Sequence, residues 1–179
     1  MNMKALFSIA TLLLMVLLGG CKQASTNIYS VKSDNYDHTP QSIFVGAAFG
    51  DTRAKANSGE PASNPLMAFR TRISSSLEAC GIRTNVEFSE GNTATVTVPP
   101  GARDPEAILL IRLVSQTVSV GAPVVGAYHA EMIDRSSKKA IWQADITTIS
   151  GHNFYDILAK SLIDRMISDK ILPTSCAAS

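Results

Sequence analysis

The chain has 179 residues, enough for one domain with a tail. Its 16 Lys and Arg residues nearly balance its 15 Asp and Glu residues, so the net charge is +1 at pH 7. This balance argues against the basic excess of nucleic-acid-binding proteins and against acidic blocks that bind cations. Aromatic residues make up 6% of the chain, which argues against a surface that stacks sugars or single-stranded nucleic acid.

Residues 1–20 have the layout of a secretory signal peptide. Lys4 supplies positive charge, an apolar segment follows over 5–18, and the small residues Gly19 and Gly20 precede a cleavage point. A helix over the apolar segment spans roughly 21 Å, short of the ~30 Å hydrocarbon core. A permanent transmembrane helix is therefore the weaker interpretation.

The sequence "LGGC" at 18–21 resembles the bacterial lipobox, in which leucine and two small residues precede a cysteine. The resemblance implies that Cys21 becomes the first residue of the mature chain and carries acyl chains, which anchor a protein stably when two or more are buried. An ordinary signal peptide with a chance cysteine is the alternative. Lys22 stands where aspartate retains many lipoproteins in the inner membrane, which favours the outer membrane, facing the periplasm.

Residues 22–41 are polar and lack periodicity, which predicts that 21–41 form a lipidated cysteine and a flexible tether. Local packing of its tyrosines and Val31, which would order part of the tether, is left open. A single periplasmic α/β domain is predicted over 42–176, with a tail at 177–179. Its first element, "SIFVGAAFG" at 42–50, is apolar and β-branched, as in a buried strand.

The first helix is predicted at about 65–80, starting after Asn64 at a proline and ending before Gly81, a suitable C′ residue. An apolar stripe recurs every three to four residues along it. The stripe consists of Leu66, Phe69, Ile73, Leu77 and Cys80.

Strand-like segments fill the middle of the chain. Residues 82–88 and 93–98 could form a hairpin, and whether both join the main sheet is left open. The strongest β signal is "EAILLIRLVSQTVSV" at 106–120. Alternating segments at 127–134 and 139–149 predict a hairpin with a charged tip, "RSSKK".

A last helix is predicted over 153–172, with Asn153 as N-cap, Asp156 at the capping-box position and Pro173 as its stop. The predicted fold is an α+β two-layer sandwich: a mixed four- or five-stranded sheet with two helices on one face. The element order is β-α-β-(β)-β-β-β-α.

The sequence indicates no catalytic centre. His38, His129 and His152 lack metal-ligand spacing, and no nucleophile stands with a base and an oxyanion site. We therefore expect no enzyme activity, no cofactor and no metal. Trp142, the only tryptophan, lies on the opposite strand face from Ile141 if alternation holds; it either anchors the core against a helix or is an exposed docking residue.

Once Cys21 is lipidated, two cysteines remain in an oxidising compartment. If both helices lie on one sheet face and run the same way, their carboxyl ends are neighbours. "PTSC" could then fold back to join Cys176 to Cys80 in a disulfide. The alternative is a buried, unpaired Cys80 and a Cys176 in a loose tail.

The hairpin "AEMIDRSSKKAIWQADI" (130–146), together with "EAILLIRL" (106–113) and the amphipathic helix that follows, resembles TolB amino-terminal-like domains. These occur in the lipopolysaccharide-assembly and curli-secretion lipoproteins, and the resemblance covers 42–172 as a pattern of elements. It implies no catalytic residues.

The leading functional hypothesis is a lipid-anchored periplasmic scaffold that docks to an envelope protein or assembly, in export or outer-membrane biogenesis. The alternative is a binder of a small or amphiphilic envelope ligand, such as a lipid or peptidoglycan fragment. A deep apolar pocket would favour the ligand binder. A flat exposed patch or an open sheet edge would favour a protein partner.

Overall fold

The computed structural model describes residues 25–50, 65–89, 104–117, 124–149 and 153–178. These residues form six strands, two α-helices and a short 3₁₀ helix. The strands are β1 (Ser25–Lys32), β2 (Ser42–Ala48), β3 (Arg83–Phe88), β4 (Ala107–Thr117), β5 (Val125–Asp134) and β6 (Lys139–Ile149). The helices are α1 (Pro65–Ala79) and α2 (Phe154–Ser168), and the 3₁₀ helix is Thr174–Ala178.

All six strands join one mixed sheet in the order β1-β6-β5-β4-β2-β3. β2 pairs in parallel with both β3 and β4, whereas β4, β5, β6 and β1 form antiparallel pairs. The α+β class, the mixed sheet and the two helices are as predicted. The predicted count of four or five strands is wrong, because β1 adds a sixth.

β1 lies inside the segment predicted to be a flexible tether, so that prediction is wrong for residues 25–32. All eight residues of β1 pair with β6, from Ser25 opposite Ile149 to Lys32 opposite Trp142. Beyond the strand, Tyr36 is also buried and its ring contacts His38. The predicted strand-like segment at 93–98 lies outside the described residues.

One side of the sheet packs against both helices and the other faces away from them. Strands β4 and β5 alternate between buried and more exposed residues, whereas β2 is buried throughout, as predicted. Helix residues such as Phe69, Ile73, Leu158 and Leu162 join the same apolar cluster as the inward residues of the strands. The domain therefore has two layers, and we call the side of the sheet away from the helices the outer face.

The two helix ends test the capping predictions. Gly81 has a φ of 80°, and its N–H donates to the Glu78 carbonyl while that of Ile82 donates to the Leu77 carbonyl, so the predicted C′ role is confirmed. Asn153 occupies the N-cap position of α2, as predicted, but it has a φ of 57° and its side chain makes no capping hydrogen bond, so the predicted side-chain cap is wrong.

Asp156 is not in a capping box either; it pairs with Arg72 of α1, with 2.8 Å between Oδ1 and Nε. The structure joins Cys80 and Cys176 in a disulfide, which is the predicted pairing. The Arg72–Asp156 ion pair lies near the start of α2, and the Cys80–Cys176 disulfide lies beyond its end. Along α1 as along α2, the ion pair comes before the disulfide, so the two helices run in the same direction. This is the arrangement from which the disulfide is predicted.

The turn of the β5–β6 hairpin is closed by Asp134. This carboxylate accepts hydrogen bonds from the Ser136 hydroxyl at 2.7 Å and from the Ser137 hydroxyl and backbone N–H at 2.5 and 2.8 Å. These bonds, those from the Ser137 and Ser136 side chains foremost, lower the pKa of Asp134 from 3.8 to about 2, against the opposing effect of burial.

Because the folded-state pKa of Asp134 is lowered, its contribution to stability is present above pH 3.8 and is lost as the pH falls towards 2. We expect Asp134→Asn to lose less stability over this interval than wild type does. Urea unfolding above pH 3.8 and near pH 2 measures the difference. Identical pH dependence in the two proteins would contradict this assignment.

Candidate docking surface

Trp142 is not an exposed docking residue: only 1% of it is accessible. The register between β5 and β6 shifts here, with Met132 opposite Trp142 but Ile133 opposite Ala140. Ile141 is the extra residue of this bulge, and both it and Trp142 are buried. The interpretation of Trp142 as a core anchor is therefore the correct one.

Trp142 belongs to a polar cluster that fixes β1 and β6 to the end of α2. Its Nε1–H donates to Asp169 Oδ2 at 2.8 Å, and Arg165 Nε–H donates to the same oxygen at 3.2 Å. The Ser30 hydroxyl of β1 also donates to Asp169, and Arg165 donates to Ser30. These hydrogen bonds link the edge strand β1 to the end of α2, so the cluster holds the edge strand in place. The sequence contains no short-range signal that connects Ser30 to Asp169.

The outer face carries most of the large apolar side chains that remain exposed. Tyr29 is 71% and Val31 57% exposed on β1, and Ile149 is 41% exposed on the neighbouring β6. Val125 of β5 is also exposed on this face, opposite Ile149, and Val114, the extra residue of a bulge in β4, is exposed near the same end of the sheet. Scattered exposed aliphatic residues are ordinary on soluble proteins, but a group on one sheet face indicates a contact surface.

Cross-strand polar pairs accompany these apolar residues. His129 Nδ1 lies 2.8 Å from Asp145 Oδ1, and Gln143 Nε2 donates to Glu131 Oε1 at 3.0 Å. Asp145 in turn lies opposite Tyr29. Within the described ranges His129 makes no hydrogen bond to a hydroxyl or thiol, so the pair resembles a surface ladder more than part of a catalytic triad.

The edge of β1 adds a second feature to this surface. The N–H of Ser33 donates to the Ile141 carbonyl, and the register is uniform along β1. In an antiparallel ladder the hydrogen-bonded residues alternate, so the backbone groups of Ile28 and Ser30 point away from β6. In the part of the chain that the structure describes, no strand pairs with them on that side. Such an edge can accept an added strand.

A cavity of about 140 Å³ lies near the edge of the sheet opposite β1, at the starts of β2 and β3. Its lining includes Ser42, Phe44 and Arg83. Pockets for drug-sized ligands are usually about 300–1,000 Å³. This cavity is smaller, so it does not favour the ligand-binding hypothesis.

Cys21 and His152 lie outside the described residues. Across the ranges the structure covers, no three His, Cys, Asp or Glu side chains are grouped to hold a metal ion. No helix in those ranges is long and apolar enough to cross a membrane.

No family model and no curated protein sequence matches the chain. Among solved structures it is similar to a PelC dodecamer from Paraburkholderia phytofirmans in space group P6, with 15% identity and a TM-score of 0.47. That match covers 87% of this chain and 99% of the PelC chain. A PelC variant dodecamer in space group C2 has 14% identity and a TM-score of 0.48, and the match covers 84% and 100% of the two chains. At this degree of likeness we infer neither function nor assembly from PelC.

Proposed function

We propose that this protein is a lipid-anchored domain of the bacterial cell envelope that docks to another envelope protein through its outer face and the open edge of β1. Cys21 carries the lipid, and the domain faces the periplasm from the outer membrane. The observation that supports docking is the exposure of Tyr29 and Val31 directly beside backbone groups with which no strand of the described residues pairs. The lipobox resemblance supports the anchor.

The same surface favours a protein partner over the alternative, a small or amphiphilic envelope ligand. A strand edge with exposed apolar side chains beside it suits a protein partner, because backbone hydrogen bonds supply affinity and side chains such as Tyr29 supply specificity. A lipid or peptidoglycan fragment would need a larger cavity than the one beside Phe44. The proposed role is binding, with no catalytic step.

Photo-crosslinking in intact cells tests the docking proposal. A photoreactive amino acid at Thr147, which is exposed on the outer face opposite Asn27 of β1, should yield a discrete adduct with an envelope protein. Tyr29→Ser should reduce that adduct, since a hot-spot tyrosine contributes about 2 kcal/mol or more to an interface. The exposed site keeps the effect on folding within about 0.5 kcal/mol.

The matched control is Met67, another exposed large apolar residue, on α1 rather than on the outer face. The photoreactive residue at Met67 should give no such adduct, and Met67→Ser should leave the Thr147 adduct unchanged. Equal adducts from the two positions, or an adduct insensitive to Tyr29→Ser, would count against docking at this surface.

A further inference from the structure

We propose that one end of the sheet rests on the lipid surface, so that the domain stands on the membrane with its strands upright. The inference depends on the proposed lipidation of Cys21. It concerns the end at which Ser25 lies opposite Ile149, Ile149 opposite Val125, and Val125 opposite Thr117. We call this the Ser25 end.

The length of chain before β1 carries the argument. Three residues separate Cys21 from Ser25, the first residue of β1. Four Cα-to-Cα steps reach at most about 14 Å. A lipidated Cys21 therefore holds Ser25, and with it this end of the sheet, within about 14 Å of the bilayer surface.

The chemistry of the Ser25 end fits a lipid surface. The strand segments that meet there hold no Lys, Arg, Asp or Glu. These segments are 25–28 of β1, 113–117 of β4, 125–128 of β5 and 146–149 of β6. Three of the large apolar side chains that remain exposed lie in them: Val114 at 62%, Val125 at 38% and Ile149 at 41%. Burying such side chains among lipid headgroups and acyl chains removes apolar area from water.

The opposite end of the sheet is charged. The residues that share it are Lys32, Asp104, Glu106, Asp134, Arg135, Lys138 and Lys139. Along β6 this hairpin end lies ten residue steps, roughly 34 Å, from Ile149. With its strands upright on the membrane, the domain presents this charged end to the periplasm. The outer face then stays accessible to a partner beside the domain.

Fluorescence quenching on reconstituted full-length protein tests this orientation. Mass spectrometry first establishes whether Cys21 is acylated. Val125→Cys and Lys139→Cys, each at a position that is exposed in the structure, are then labelled with an environment-sensitive dye. Each labelled protein is reconstituted into vesicles of phosphatidylethanolamine and phosphatidylglycerol. Quencher-bearing lipids should remove most of the emission at position 125 and leave that at position 139 unchanged.

The outcomes separate the two proposals. If Cys21 is acylated but both labels are quenched alike, or neither is, the orientation is wrong while the anchor stands. If Cys21 is not acylated, the anchor fails and the orientation fails with it. Ile149→Cys replaces Val125→Cys if the latter does not fold, because it lies directly opposite at the same end.

Discussion

Removing the disulfide between Cys80 and Cys176 is expected to lower the free energy of unfolding by about 2–5 kcal/mol. The bond joins residues 96 positions apart, and for a loop of about 100 residues the chain-entropy model gives about 4.7 kcal/mol. It also fixes the 3₁₀ helix against α1, since Cys176 is 1% exposed. Urea unfolding of wild type and of the Cys80→Ala, Cys176→Ala double variant under oxidising conditions measures the loss.

Reduction supplies the internal control for this experiment. A thiol reductant should shift the unfolding midpoint of wild type towards that of the double variant and leave the variant unchanged. If the wild-type midpoint stays the same after both thiols are shown to be free, the disulfide does not stabilise the domain to the extent expected.

The parts of the fold that follow from local periodicity could be predicted. α1 has a clear apolar stripe and a C′ glycine, and its observed end at Ala79 is one residue from the predicted one. The disulfide followed from these helix ends, because parallel helices on one sheet face bring Cys80 and Cys176 together. Local signals sufficed here because the residues that specify the helix are close in the sequence.

β1 could not be predicted in the same way. Its sequence "STNIYSVK" contains few apolar residues, and the inward positions Ser30 and Lys32 are polar. What makes it a strand is distant: β6 pairs with it over its full length, and Asp169 accepts the Ser30 hydroxyl hydrogen bond. A pairing across more than a hundred residues leaves no local pattern, so tertiary context decided the structure.

The presence of β1 in place of a flexible tether also changes the functional interpretation. A tether of twenty residues would leave the domain free to orient itself above the membrane. With β1 beginning at Ser25, three residues remain after Cys21. The same strand provides Tyr29, Val31 and the open edge of the candidate docking surface. A polar segment that lacked a sequence signal therefore sets both the proposed orientation and the proposed interface.

The alternation assumed at Ile141 and Trp142 fails for a different reason, although Trp142 is the core anchor that one of the two interpretations predicted. Strict alternation puts neighbouring residues on opposite faces of a strand, so it places Ile141 and Trp142 on different faces, whereas both are buried in the structure. The bulge breaks the alternation, and its residues carry no glycine or proline that would announce it. The location of Trp142 in the core predicts a stability defect on mutation instead of a binding defect.

Trp142→Ala is expected to destabilise the domain by about 3–5 kcal/mol, the cost of removing a buried aromatic side chain and leaving a cavity. Trp142→Phe separates packing from hydrogen bonding: it retains most of the apolar volume but removes the Nε1–H donor to Asp169, at a cost of about 1–3 kcal/mol. Urea unfolding should therefore rank the proteins wild type, Phe variant, Ala variant. Both variants, where folded, should still give the Thr147 adduct, because Trp142 does not reach the outer face. If Trp142→Ala keeps the wild-type unfolding midpoint but loses the Thr147 adduct, Trp142 contributes to docking and not to stability, and its assignment as a core anchor is wrong.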